Sequence, residues 1–98
     1  MENLETFLKN EEKEYKQRVI EKTKTGLKME YIAFNLAIKE NVQWLEEAYQ
    51  KYMNNEITKS AFEYRINDNK QHINHWQNMI EIVVDELLKR SETDDINI

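Results

Sequence analysis

A chain with no proline and one glycine in 98 residues has almost no position at which its backbone is forced out of a helix. Turns and multi-stranded sheets draw on these two residues repeatedly, so their scarcity points to a few long helices with short links. A single domain of this size buries a core only if most of its elements pack on one another. The fold class expected is therefore all-α. Three helices are predicted: a long antiparallel helical hairpin, coiled-coil-like, with a weaker N-terminal helix packed on it. Residues 1–90 should form the single helical domain and 91–98 an acidic, flexible tail.

The lone glycine, Gly26, follows Lys22, Thr23, Lys24 and Thr25 and precedes Leu27. Cationic last-turn residues before a glycine are the pattern of a left-handed C-cap. A first helix is accordingly predicted from about Leu4 to Lys24, with Leu4, Phe7, Leu8, Tyr15 and Val19 on one side. Glu5/Lys9, Glu12/Lys16 and Glu14/Arg18 are favourable i,i+4 pairs. Glu11 and Glu12 interrupt the apolar stripe, which makes this helix the least securely docked.

A second helix is predicted over about Lys28 to Met53. It places Tyr31, Ile38, Leu45 and Tyr52 at intervals of seven, flanked by Phe34, Val42, Ala48 and Tyr49. Met29, Ala33, Ala37 and Trp44 form a second apolar face, and two such faces mark a central helix. Asn54 to Thr58 reads as a tight link, because asparagine tolerates left-handed backbone and the Thr58 hydroxyl can cap the next helix. In the third helix, about Lys59 to Arg90, Phe62, Ile66, Asn69, Ile73, Trp76, Ile80, Val83 and Leu87 keep an unbroken four-three spacing. Glu63, Lys70, Gln71, Asn74, Asn78, Glu81, Asp85 and Lys89 stand on the polar side. Pairing the two seams outward from the turn sets Ile66 near Leu45, Ile73 near Ile38 and Ile80 near Tyr31. It also brings Asn41 close to Asn69, a polar pair suited to setting register by a hydrogen bond across the hairpin. The alternative is that both asparagines lie near a surface edge. The stretch Leu45 to Ile66 resembles the helical hairpins of short oligomerisation modules, a resemblance in generic residues only.

Formal charge is -5, from 14 bases and 19 acids. Three of those net negative charges fall in the last fourteen residues, where Asp85, Glu86, Glu92, Asp94 and Asp95 face only Lys89 and Arg90. The rest of the chain shows no basic stripe, so a nucleic-acid partner is not expected. There is no cysteine, which removes disulfides, thiolate metal sites and a thiol nucleophile and fits a reducing, cytoplasmic setting. The first sixteen residues lack the apolar run of a secretory signal, and no stretch approaches a membrane span, so neither export nor a membrane partner is expected.

Chemistry-bearing constellations are sparse. Asp68, His72 and His75 share one helical face, a possible divalent-metal half-site, but one helix without a second ligand set is too little to expect a metal or any cofactor. No Ser/His/Asp set can be assembled and one glycine makes no phosphate loop, so no enzymatic activity is expected. Residues 30–46 imitate the apolar spacing of a helix-turn-helix, yet lack a turn glycine and carry Lys39 as the lone base. A DNA-binding regulator is the alternative that segment would support. Trp44 and Tyr64 lie off the seams and are the candidate partner-binding residues, although Trp44 could instead pack under the first helix. The expectation is a small non-enzymatic protein-binding module, homodimeric, of the kind a phage or mobile element uses to inhibit or adapt a larger bacterial machine. The residue usage, rich in asparagine, isoleucine and lysine, fits an AT-rich genome. A bacteriocin-immunity protein would share this size and polarity.

Overall fold

A computed structural model describes residues 3–96 of the chain, with side chains through residue 91. Among them are three α-helices and no strand: α1 (Leu4–Arg18), α2 (Lys24–Met53) and α3 (Lys59–Ile96), with one 3-10 turn at Val19–Glu21. The helices form the expected antiparallel hairpin of α2 and α3, with α1 laid along part of it. The assembly is a long slab measuring 62 × 30 × 15 Å. Its length is set by α3, since 38 residues at 1.5 Å each span ~57 Å. No described helix is long and apolar enough to cross a membrane. α3 continues past the boundary expected at Arg90, to Ile96; residues 97 and 98 of the expected tail lie outside the described residues.

Each helix begins on a side-chain cap. Asn3 accepts from the Thr6 amide at 2.8 Å, Thr23 from the Gly26 amide at 3.0 Å, and Thr58 from the Ala61 amide at 3.1 Å. The Thr23 cap overturns one expectation. Gly26 is not a left-handed stop but part of the first turn of α2, and its φ is not positive. A hydroxyl that satisfies an amide three residues on starts a helix at that point, so Lys24 and Thr25 belong to α2 and α1 ends six residues earlier than predicted. A Cβ at Gly26 would stand 3.0 Å from the Thr23 hydroxyl oxygen, so the bare backbone leaves the cap its room. The turn between α2 and α3 follows expectation: Asn55 takes φ 61°, in the left-handed region asparagine tolerates. Thr58→Ala should cost about 1 kcal/mol, the usual worth of such a cap, read as a lowered midpoint in urea.

Every residue of the α3 seam, from Phe62 to Leu87, is buried or half-buried. Phe34 stacks on Trp76 with ring centres 5.4 Å apart, and Tyr52 stacks on Phe62 at 4.6 Å, which fits the predicted register. On α2 the innermost row is Leu27, Phe34, Asn41 and Ala48, also spaced by sevens, while Tyr31 on the expected row is 41% exposed. The α2 helix is therefore rotated slightly from the expected seam, towards the row of Leu27, Phe34, Asn41 and Ala48.

α1 runs alongside α3 and antiparallel to α2. Tyr15 and Val19 join Leu27, Met79 and Val83 in one buried cluster, with Phe34, Trp76, Ile82 and Leu87 packed against it. The Tyr15 ring meets the Phe34 edge at 5.6 Å. Arg90 closes the far end: its guanidinium donates to the Val19 and Ile20 carbonyls, at 3.3 and 3.2 Å, and to Glu86 at 3.0 Å. The Val19 carbonyl also accepts from the Lys22 amide at 3.2 Å, so Arg90 reinforces the turn that follows α1. The central helix is thus α3, not α2. Met29 stays 67% exposed and Trp44 53%; neither they nor Ala33 are covered by α1. The reason is chemical as well as apolar. The flank of α3 that holds Met79 and Ile82 also holds His75, which gives Glu11 and Glu12 a partner that the apolar face of α2 does not offer.

Candidate functional site

His75 is 2% exposed and stands between the two glutamates that break the α1 stripe. Its Nδ1 lies 2.9 Å from a carboxylate oxygen of Glu12, and its Nε2 3.5 Å from one of Glu11. The Asn78 amide donates to the other Glu12 oxygen at 3.1 Å, and the Trp76 ring centre is 4.8 Å from that of His75. A buried imidazole with a carboxylate at each nitrogen is a polar clasp inside an otherwise apolar interface. The signal for it was present in the sequence as two acids in the middle of an apolar stripe, without any indication of what they would meet.

The metal candidates do not converge. His72 pairs with Asp68 at 3.8 Å, while His75 points into the α1 interface. Among the described residues no group of three His, Cys, Asp or Glu side chains could hold a metal ion. Asn41 and Asn69 are buried, at 5% and 8% exposure, but they do not bond to each other. Each amide donates to a carbonyl of its own helix four residues back, Asn41 to Ala37 and Asn69 to Arg65, both at 2.8 Å. The i−4 carbonyl lies within reach of a short amide side chain without any movement of the partner helix. Among the described residues no buried side-chain nitrogen or oxygen lacks a partner. Residues 30–46 lie within the unbroken helix α2, so the helix-turn-helix expected as an alternative has no turn.

A second polar contact anchors α1 to α2. The Tyr15 hydroxyl donates to Glu30, which also pairs with Lys22 at 3.1 Å. Burial, then the hydrogen bond to Glu30 and its negative charge, push the phenol's pKa above the usual range, against a smaller opposing pull from Arg18. A raised phenol favours the folded state fully below its ordinary pKa of about 10, and that part is lost as pH rises further, because the unfolded chain ionises first. Tyr15→Phe should therefore cost about 1 kcal/mol near neutrality. The gap from the parent chain should narrow in melts taken above about pH 10.

α1 covers only part of the hairpin. Its side-chain partners are Glu30 and Phe34 on α2 and His75 and Asn78 on α3, while Arg90 holds the turn just after it. Tyr64 precedes His75 by eleven residues, about three helical turns, and so shares its face of α3 nearer the hairpin turn. Trp44 follows Glu30 by two heptads and stands on the corresponding side of α2. Both expected partner-binding residues thus flank a stretch of the α2–α3 groove that α1 does not reach. Trp44 is 53% and Tyr64 73% exposed. Tyr49 and Met53 add further exposed apolar surface on the same arm, towards the turn.

No protein-family model, no curated protein and no solved structure matches this chain.

Proposed function

We propose that this chain is a small, non-enzymatic protein-binding module whose docking surface is the bare arm of the hairpin, with Trp44 and Tyr64 as its anchors. The observation that supports this is the unequal cover on one side of α2 and α3. Where α1 lies, the groove holds the buried cluster; nearer the turn it is flanked by two large amphipathic rings exposed to solvent. Exposed tryptophan and tyrosine are the side chains that most often dominate binding energy, because they bury much area for little lost rotamer freedom. An amphipathic helix laid in line with α1 would complete a third layer over the arm, the helix-in-groove mode of recognition. A second copy of the chain or a component of a larger assembly that the module inhibits or adapts could supply it.

The test is mass by light scattering, together with capture of partners by the purified chain, for the parent and for a Trp44→Ala/Tyr64→Ala double variant. Both residues are exposed, so the double variant should keep the parent's helicity and melting midpoint. It should lose self-association or the captured protein by at least about tenfold, the scale of one anchoring ring. Unchanged association would sink the reading.

A further inference from the structure

We propose that the face of the hairpin opposite α1 docks a second copy of this chain, reversed end to end, so that the four hairpin helices of the pair enclose a shared apolar layer. The inference goes beyond the docking surface proposed above, which lies on the α1 side of the same two helices, and it stands or falls separately.

His75 turns towards α1, so residues nine positions away on α3, two and a half turns, stand on the other side of that helix. Ile66 and Val84 are those residues, Ile73 lies beside them, and all three are half-buried. On α2 the innermost row has Glu30 on its α1 side and Val42 and Tyr49 on the other, each one residue past a member of the row. Tyr31 joins them, eleven residues or about three turns before Val42. Tyr31, Val42 and Tyr49 are 41%, 40% and 50% exposed. Among the described residues no further element packs over this face, whereas α1 covers part of the opposite one. The helices run side by side for the length of α2, about 45 Å for its 30 residues. At a helix spacing of about 9 Å the face measures about 800 Å², one partner's share of a standard stable interface.

Spacing and charge both fit a second copy. Ile66, Ile73 and Ile80 are seven apart, so reversing the chain about Ile73 lays isoleucine on isoleucine. A two-fold axis across the hairpin places α2 on α2 and α3 on α3, antiparallel, with residues of the same margin meeting at reversed heights. An axis close to Ile38 and Ile73 then brings Lys28 to Glu46 of the second copy, and Lys70 within reach of Glu81 of the second copy. All four side chains are exposed, and among the described residues none has an ion pair within its own chain. The other closed arrangement, an axis along the hairpin, places α2 on α3 of the second copy at equal height. By the register of the Phe34–Trp76 and Tyr52–Phe62 stacks, that brings Lys39 to Lys70 and Glu46 to Glu63, two like-charge contacts. Charge therefore selects the reversed arrangement, with an apolar centre and a polar rim.

The experiment is sedimentation velocity of the full chain over a concentration series. The parent should have the mass of two chains, with a dissociation constant of about micromolar or tighter for an interface of this size. Tyr31→Glu/Val42→Glu should raise that constant at least about a hundredfold, because it sets like charges against one another in the centre of the interface. Both positions are exposed in the single chain, so helicity by circular dichroism should be kept. A charge exchange provides a second readout. Lys28 and Glu46 are eighteen residues, about 27 Å, apart along α2 and cannot meet within one chain. Lys28→Glu should therefore weaken the dimer about tenfold, the scale of two symmetric rim pairs turned repulsive, and Lys28→Glu/Glu46→Lys should restore it. Trp44→Ala/Tyr64→Ala leaves this face intact and should not change the mass. A parent that is monomeric at about 100 μM overturns the proposal. So does a dimer that survives Tyr31→Glu/Val42→Glu, a dimer lost with Trp44 and Tyr64 instead, or a charge exchange that restores nothing.

Discussion

Leu27→Ala is expected to destabilise the chain by about 3 kcal/mol, the middle of the range for deleting a fully buried leucine. Leu27 has no exposed surface, and it packs where all three helices meet, among Tyr15, Val19, Met79 and Val83. Its neighbours come from α1, the turn after it and α3, so they cannot close on the vacated volume without moving a helix. For a domain of this size the loss corresponds to a fall in Tm of roughly 15 °C. Total stability for a chain of this length is on the order of 5–15 kcal/mol, so the variant should remain folded but with a clearly shifted urea midpoint. Leu45→Ala is the instructive contrast. Leu45 is half-buried on the bare arm, and its removal should cost about 1 kcal/mol, because solvent already reaches the site and little cavity is left. Circular dichroism during urea titration would read both. Equal losses for the two would mean that stability is spread evenly along the hairpin rather than concentrated under α1.

The second large effect is expected at His75. Replacing it by leucine fills the volume but leaves Glu12 with only Asn78 as a partner in a site that is mostly closed to water. Removing one member of a buried hydrogen-bonded pair is more costly than removing both, since the survivor keeps its desolvation without its partner. Glu11 is nearly half exposed and will rehydrate, so the loss should be about 2 kcal/mol rather than the upper end for fully buried pairs. The double change His75→Leu/Glu12→Leu should recover most of it, because an apolar pair suits the surrounding Leu8 and Met79. Measuring the four corners of that cycle in urea gives the coupling between the two residues. A double variant no better than His75→Leu alone would show that the ring contributes through its packing on Trp76 and not through Glu12.

Much of this architecture is legible in the amino-acid sequence. The four-three spacing from Phe62 to Leu87 identified one face of α3, and all of it proved buried or half-buried. Asn54–Asn55 and Thr58 located the turn, since few residue types accept a positive φ or cap a helix with a hydroxyl. Trp44 and Tyr64 stood off the seams in the sequence and stand exposed in the structure. These features depend on local backbone preference and on periodicity within one helix, which a sequence carries directly.

Other features required knowing which surfaces meet. Gly26 carries the composition of a helix stop, and whether it ends α1 or opens α2 was decided by the Thr23 hydroxyl bonding its amide. Asn41 and Asn69 both reached the interface, but each amide chose its own helix, because an i−4 carbonyl lies nearer than a partner across the seam. The choice of α3 over α2 as the platform for α1 was the largest matter left open. α2 displayed the more apolar second face, and the decision fell to polar complementarity: Glu12 enters a mostly closed site only against side chains able to bond it, and His75 and Asn78 are on α3. Periodicity within the chain therefore determined the hairpin and its turn. The tertiary structure decided where the short helix lies and what it leaves bare, because a pairing of polar side chains across an interface is a property of two surfaces at once.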